Sequence, residues 1–367
     1  MKLKCSQSDL AQALSTVNRA VSSNNTLPVL NNILLRAEGK KLHLSATNLE
    51  IAISASIDAD VENEGTLTVP AKALSSYIPL INDADVQLMV ISGNTLDIRS
   101  TGSDTKMKGI SSEEFPSLPK LDKPNHFVLP TEHLATAIEQ VAFAASTNIS
   151  RPVLTGLYWS IKGKEMKLVA TDSYRLAERS VKLEKDLELD LSFIVPSKTA
   201  HELAKALSST MANEIDVYVT KGQILFKIGS LELMSRLIDL NFPPYEKVLP
   251  ESCKTETKVS RADFVLALKK LSVIVRDSSN NVRLKVDGPK LGLSSDETQV
   301  GQGSSELIID SKGDAQEAAL NVQYLLDVLS RIDDDQVYLG LNDKLSPVKV
   351  TPVQGSGYQY IIMPLKV

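Results

Sequence analysis

The sequence predicts an α+β protein of three similar domains, each with two helices packed on antiparallel sheet. Three observations carry that prediction. A helical pattern recurs twice at a near-constant step, short motifs recur at the same step, and the segments between them alternate apolar and polar residues.

The helical pattern comes first. Ser8-Asp9-Leu10 opens a stretch with Leu10, Leu14, Val17 and Val21 on one face, the spacing of an amphipathic helix. Thr131 opens a second, with Leu134, Ile138, Val141 and Ala145, and Ser260 a third, with Phe264, Leu268, Leu271 and Val275. Each starts at a residue type that caps helix N-termini, and Ser260 with Asp263 resembles a capping box. From Leu10 to Leu134 is 124 residues, and from Leu134 to Phe264 is 130.

Other motifs keep the step. Leu27-Pro28-Val29-Leu30 returns as Arg151-Pro152-Val153-Leu154, and Ala46-Thr47-Asn48 as Ala170-Thr171-Asp172, both 124 residues on. Val69-Pro70-Ala71-Lys72 returns as Val195-Pro196-Ser197-Lys198 after 126, and Phe115-Pro116 as Phe242-Pro243 after 127. The third copy has drifted furthest: its second helix, Asn321-Val322-Gln323-Tyr324-Leu325-Leu326, lacks the preceding Val-Pro, and Tyr360-Ile361-Ile362-Met363-Pro364 replaces the Phe-Pro segment. Second helices are expected near Ala71, Ser197 and Asn321.

Segments such as Lys41-Leu42-His43-Leu44-Ser45 and Glu165-Met166-Lys167-Leu168-Val169 alternate as half-buried strands do. Glu38-Gly39, Gly93-Asn94, Lys162-Gly163 and Lys221-Gly222 supply hairpin turns. Boundaries are expected in the Pro- and Lys-containing stretches 116–125 and 243–255, giving domains 1–122, 123–252 and 253–367.

Composition bounds the function. The chain has 367 residues, 43% hydrophobic and only 5% aromatic, so Leu, Val, Ile and Ala fill its cores. No run approaches the roughly 18 apolar residues of a membrane span, and no apolar leader follows Met1-Lys2-Leu3-Lys4-Cys5. Cys5 and Cys253 are far apart and outside any metal-type spacing, which fits a reduced, cytoplasmic compartment. His43, His126, His133 and His201 are dispersed, with no metal motif among them. Gly301-Gln302-Gly303 starts like a dinucleotide fingerprint but Glu306 stands at its last glycine position. Asp333-Asp334-Asp335 reads as an acidic turn after a helix. No phosphate loop or nucleophile elbow is present, so no catalytic residue, metal or cofactor is expected. The net charge of −5 runs against general electrostatic binding of nucleic acid.

Thr26-Leu27-Pro28-Val29-Leu30, Ala170-Thr171-Asp172-Ser173-Tyr174-Arg175-Leu176-Ala177, Phe242-Pro243-Pro244-Tyr245, Asn321 to Leu329 and Met363-Pro364-Leu365, in this order, resemble the bacterial DNA polymerase III beta subunits, the sliding clamps. The resemblance covers the whole chain. It implies the DNA-clamp fold and a head-to-tail homodimeric ring that encircles double-stranded DNA without reading its sequence, tethers the replicative polymerase and catalyses nothing. A clamp that slides needs a positive balance only where helices face the duplex. Candidates are Arg19, Lys72, Arg151, Lys198, Lys205, Arg261, Lys269 and Lys270.

The resemblance also implies one cleft where the polymerase, clamp loader and repair proteins dock short, partly apolar peptide motifs. Its residues would be Leu154, Thr171, Ser173, Tyr174, Arg175, Leu176, Pro243, Lys247, Val248, Asn321, Tyr324, Leu345, Ile361, Met363, Pro364 and Leu365. The aliphatic members and Met363 suit an adaptable floor, with Tyr174 and Arg175 as hydrogen-bonding groups at the rim. Ser173-Tyr174 stands where some members have Gly-His, and Lys247 where Arg is frequent. The ring joint would pair Thr105 and Met107 with Val273 and Ile274, Thr105 being more polar than expected there. The competing expectation is a triplicated peptide-binding scaffold that encircles nothing, or a specialised clamp paralogue.

Overall fold

In a computed structural model of the chain, the described residues are 1–21, 27–118, 121–276, 280–355 and 357–365. Thr26 of the Leu-Pro-Val-Leu motif therefore lies outside them. Six α-helices are found among them: α1 (Gln7–Val17), α2 (Ala71–Tyr77), α3 (Leu134–Ala142), α4 (Ser197–Ser208), α5 (Arg261–Val275) and α6 (Val322–Leu329). The expected apolar stripes are buried, with Leu10, Leu14 and Val17 in α1, Leu134, Ile138 and Val141 in α3, and all four named residues of α5. Val21 and Ala145 fall outside the helices, because α1 tightens into a 3-10 turn at Asn18–Ala20 and α3 stops at Ala142.

Capping followed the strand ends more than the sequence pattern. Ser260 caps α5 as expected, accepting from the Asp263 amide. In α1 the cap is Ser6, two residues before Ser8, because the preceding strand Lys2–Ser6 runs to the helix. Thr131 caps nothing: its hydroxyl donates to the Ala212 carbonyl at 2.6 Å and its amide to Asn213, so it fastens a strand end. α3 starts instead from His133, whose backbone is left-handed.

The described residues group into two compact units, 1–132 with 202–237, and 133–201 with 238–367. The first is built on a twelve-stranded antiparallel sheet. Its path runs Ser103–Lys108, Thr95–Ser100, Asp85–Ile91, Lys2–Ser6, Ile51–Asn63, Leu231–Arg236, Gln223–Ile228, Glu214–Val219 and Asn125–Pro130. Asn32–Glu38, Lys41–Thr47 and Gly65–Pro70 extend it off this path. The pairing of Ile51–Ala55 with Leu231–Ser235 joins strands about 180 residues apart into one surface. α1 packs on Ile51–Asn63 and against α2.

The second unit repeats the device. Its nine-stranded sheet runs Asp190–Pro196, Gly156–Lys162, Glu165–Thr171, Arg175–Lys182, Tyr358–Ile362, Val348–Pro352, Gln336–Leu341, Thr255–Ser260 and Asp310–Gly313. The seam pairs Leu176 with Ile361 and Ala177 with Tyr360. A four-stranded sheet, Ser304–Ile308, Lys290–Ser294, Asn281–Asp287 and Gln316–Asn321, completes it, with α5 packed on α6.

Candidate functional site

The site grows from the turn that links Glu165–Thr171 to Arg175–Lys182. Thr171 Oγ1 donates to the Arg175 carbonyl at 2.7 Å and accepts the Ser173 amide at 3.1 Å. Asp172 Oδ1 accepts the Tyr174 and Arg175 amides at 2.9 and 3.0 Å. Short polar side chains thus stand in for backbone partners, which is why Thr-Asp suits this bend. Ser173 is held at φ +81°, a left-handed conformation unfavourable for a residue with a Cβ.

Arg175 leaves that turn and points inward, its side chain only 12% exposed. Nε donates to Asp172 at 3.0 Å, Nη1 to Asp327 at 2.5 Å, and Nη2 to the Phe143 carbonyl at 3.1 Å. Its guanidinium lies over the Tyr324 ring, 4.4 Å from the centroid. Burial opposes its charge, yet Tyr360, Asp327 and Asp172 outweigh that and hold its pKa above the ordinary arginine value. Asp327 also accepts from Gln323 at 2.7 Å, and Asn321 caps α6 through the Gln323 and Tyr324 amides. Arg175 therefore ties the strand Arg175–Lys182 to α6, and is not the rim donor that the sequence suggested.

Beside this tie opens a cleft of about 510 Å³. Leu154, Leu176, Tyr245 and Ile361 form its buried floor, and Pro243, Pro244, Val248, Val153 and Met363 its walls. The floor is rigid. Tyr158 stacks on Phe242 with centroids 4.9 Å apart, and both meet Tyr245 edge-on. Burial, then a hydrogen bond to the buried Glu178, pushes the Tyr245 hydroxyl well above its usual pKa. Gln359, across the seam, donates to the same Glu178 at 2.6 Å, so that carboxylate has two side-chain donors. An apolar floor with polar groups at Thr171, Ser173, Arg151 and Asn241 suits a short segment presenting aliphatic side chains.

Nine expected cleft residues line this cavity: Leu154, Thr171, Ser173, Arg175, Leu176, Pro243, Val248, Ile361 and Met363. Tyr174 is exposed beside it, and its carbonyl accepts the Met363 amide at 2.8 Å. Leu365 is anchored to the Ala319 carbonyl, and Pro364 is half-buried between the two anchors. Asn321 and Tyr324 stand behind Arg175 and stay off the lining. Lys247 and Leu345 are exposed and do not line it either. Val153, Asn241, Pro244 and Tyr245 are linings that the sequence reading missed, although Pro244 and Tyr245 sit in the very Phe-Pro-Pro-Tyr motif it singled out.

The basic residues divide. Lys72, Lys198, Lys205, Lys269 and Lys270 are exposed on helices. Arg261 is not free to meet a duplex: its Nε donates to the Asp334 carbonyl at 2.9 Å and its Nη1 to Leu329, closing the end of α6. Arg151 precedes the 3-10 turn Pro152–Leu154, donates to Ser173 Oγ at 3.2 Å and lines the cleft. Of the joint residues, Thr105 and Met107 are half-buried on Ser103–Lys108, and Thr105 donates to the Tyr77 hydroxyl at 2.8 Å. Val273 is exposed and Ile274 half-buried, both on α5. Cys5 is buried, and burial with nearby Asp85 and Asp9 pushes its thiol up to about 12.

Comparison with known proteins places the chain. Three family models match it end to end, the DNA polymerase III beta subunit N-terminal domain over residues 1–119, the central domain over 128–244 and the C-terminal domain over 246–366. The beta sliding clamp of Synechococcus elongatus is 32% identical, covering 100% of this chain and 99% of that one. That of Synechocystis is 30% identical with the same coverage. A crystal structure of the Pseudomonas aeruginosa sliding clamp bound to griselimycin superposes with a TM-score of 0.95 at 26% identity, covering both chains fully.

Proposed function

Because the chain belongs to the DNA polymerase III beta subunit family of sliding clamps, we propose that it closes into a head-to-tail homodimer around double-stranded DNA. Its function is that of a DNA polymerase processivity clamp, and its fold is the three-domain clamp fold. The observation that carries this reading is the match of all three family segments along one chain, in order. That match also supports domains 1–122, 123–252 and 253–367. In this reading the protein works in the cytoplasm and performs no catalysis; it holds an enzyme in place.

Ring closure has chemical support in two open sheet edges. Among the described residues, Ser103–Lys108 pairs only with Thr95–Ser100, and Ser304–Ile308 only with Lys290–Ser294. An unpaired edge is a template for another strand. Thr105 and Met107 lie on the first; Ile308, 76% exposed, lies on the second, and Val273, 63% exposed, on α5, which packs against it. Joining unlike edges gives a heterologous contact that closes when the rotation allows. Arg19, Lys72, Lys198, Lys205, Lys269 and Lys270 are the cations we assign to the duplex, and the cleft around Leu176 and Tyr245 takes short motifs of the replicative polymerase, clamp loader and repair proteins.

The test is topological. With a clamp loader and ATP, the protein is expected to stay on nicked circular DNA and to leave once the circle is cut. Equal retention on both forms, or no loading, overturns encirclement and favours the scaffold. Its mass in solution is expected near twice 39.9 kDa.

A further inference from the structure

We infer that Glu202 is an internal counter-ion that limits the positive charge presented to DNA and so keeps the clamp loosely held while it slides. The inference rests on the ring reading above. Glu202 lies on α4 with its side chain 11% exposed. Its Oε1 accepts from Lys205 Nζ at 2.9 Å, one helical turn on. Its Oε2 is buried without a hydrogen-bond partner, and the Arg19 Nε stands 3.9 Å from it. Arg19 sits on the 3-10 turn that follows α1. One carboxylate thus faces two of the cations expected to meet the duplex. By contrast, among the described residues Lys72, Lys269 and Lys270 are exposed and in no ion pair.

The placement is physically costly, which argues for a purpose beyond surface solubility. A carboxylate this far from water is unfavourable unless cations compensate it, and an oxygen left without a hydrogen bond adds to the cost. The gain is in the field: Arg19, Lys205 and Glu202 together present about one positive charge where the two cations alone would present two. Each phosphate neutralised contributes about 0.9 to the slope of log affinity against log salt, and each such contact must break for the protein to move along the duplex. Glu202 competes with phosphate for both cations, so they attract DNA from a distance without gripping it.

The test uses the full-length dimer and a short linear duplex whose ends let a ring thread on. Binding is measured from low to moderate salt, with single-molecule tracking of diffusion on circular DNA alongside. Glu202→Gln, which keeps the shape, is expected to steepen the salt slope by about one and to slow diffusion. Adding Lys205→Gln to it is expected to restore the wild-type slope, which a merely structural role for Glu202 would not do. Should Glu202→Gln fail to fold, the double variant Arg19→Gln/Lys205→Gln is compared with Lys269→Gln/Lys270→Gln. The first removes two cations that share one effective charge and is expected to lower the slope by about one, the second by about two. An unchanged slope in Glu202→Gln, or equal effects of the two double variants, overturns the inference. Loss of wild-type protein from closed circles overturns the ring reading instead, and the inference with it.

Discussion

The turn at 47–51 and the turn at 171–175 are one piece of backbone used twice. In the first, Thr47 Oγ1 donates to the Ile51 carbonyl at 2.9 Å and accepts the Leu49 amide at 3.0 Å. Asn48 Oδ1 accepts the Glu50 and Ile51 amides at 3.0 and 2.9 Å, as Asp172 does for Tyr174 and Arg175. Leu49 is left-handed at φ +75°, as Ser173 is at +81°. Each turn leads into a strand that pairs across a seam, with Leu231–Arg236 in one unit and Tyr358–Ile362 in the other. Each opens on a cleft walled by Pro116 or Pro243.

The clefts differ where side chains differ. The first measures about 200 Å³ and the second about 510 Å³. Leu118 stands where the second has Tyr245, Ile51 where it has Arg175, and Met234, Ser235 and Arg236 close the seam side where Ile361 and Met363 leave it open. Hydrogen bonds of the turn are common to both, so they specify the bend and not the binding. Arg175 lines the larger cleft with its guanidinium tied to Asp172 and Asp327, a network that Ile51 of the smaller cleft cannot form.

That contrast can be broken most severely at Arg175. Arg175→Ile grafts the residue of the smaller cleft and leaves Asp172 and Asp327 without their cation, which is expected to cost about 3–5 kcal/mol. Urea unfolding measures it, and adding Asp172→Asn, the partner found at position 48, is expected to recover at least about 1 kcal/mol. A neutral single variant would show that the network holds nothing. A chain ending at Ile362 loses Met363 and the anchors to Tyr174 and Ala319. Fluorescence anisotropy with a polymerase-derived peptide is expected to show affinity down at least about tenfold, or ~1.4 kcal/mol, with dimer mass unchanged. Undiminished affinity would remove the tail from the cleft.

Tyr245→Leu makes the floor resemble Leu118. It deprives the buried Glu178 of a partner at a cost of about 1–3 kcal/mol, and peptide affinity is expected to fall with it. Arg151→Ala separates two assignments: peptide affinity is expected to move by less than about threefold, one exposed hydrogen bond being lost, with the DNA salt slope constant. A slope shallower by about one would return Arg151 to the DNA-facing set. Leu49→Asn is the smallest change. Asn tolerates the left-handed region, so a gain of up to about 1 kcal/mol is expected, with peptide binding untouched. Weakened binding there would make the small cleft part of the site.

Much of this was legible in the residues. The 124-residue step located both turns, because Thr followed by Asn or Asp encodes its own bend through local hydrogen bonds. Helix stripes were legible for the same reason, that i to i+4 contacts are local. What escaped depends on distant partners. Asp327, 152 residues from Arg175, turned an apparent rim donor into a structural tie. Thr131 looked like a cap until the strand end near Ala212 claimed its hydroxyl. Arg151 and Arg261 carry the same charge as the exposed lysines, and only their acceptors, Ser173 and the Asp334 carbonyl, set them apart. Tyr245 and Phe242 share a recognised motif, but Tyr158, the ring on which both pack, comes from a distant strand.

The pairing of Arg175–Lys182 with Tyr358–Ile362 also sets a timetable for the nascent chain. Glu178 and its hydrogen-bond partner Gln359 are 181 residues apart. At roughly 5–20 residues per second, about ten to thirty-five seconds of synthesis separate the two strands. For that interval the strand carrying Leu176 has one raw edge, in a sheet that cannot be completed until Tyr358–Ile362 has been made. Chaperone demand during production of this protein is therefore expected to concentrate on the segment around Leu176, and to end abruptly as Tyr358–Ile362 leaves the ribosome.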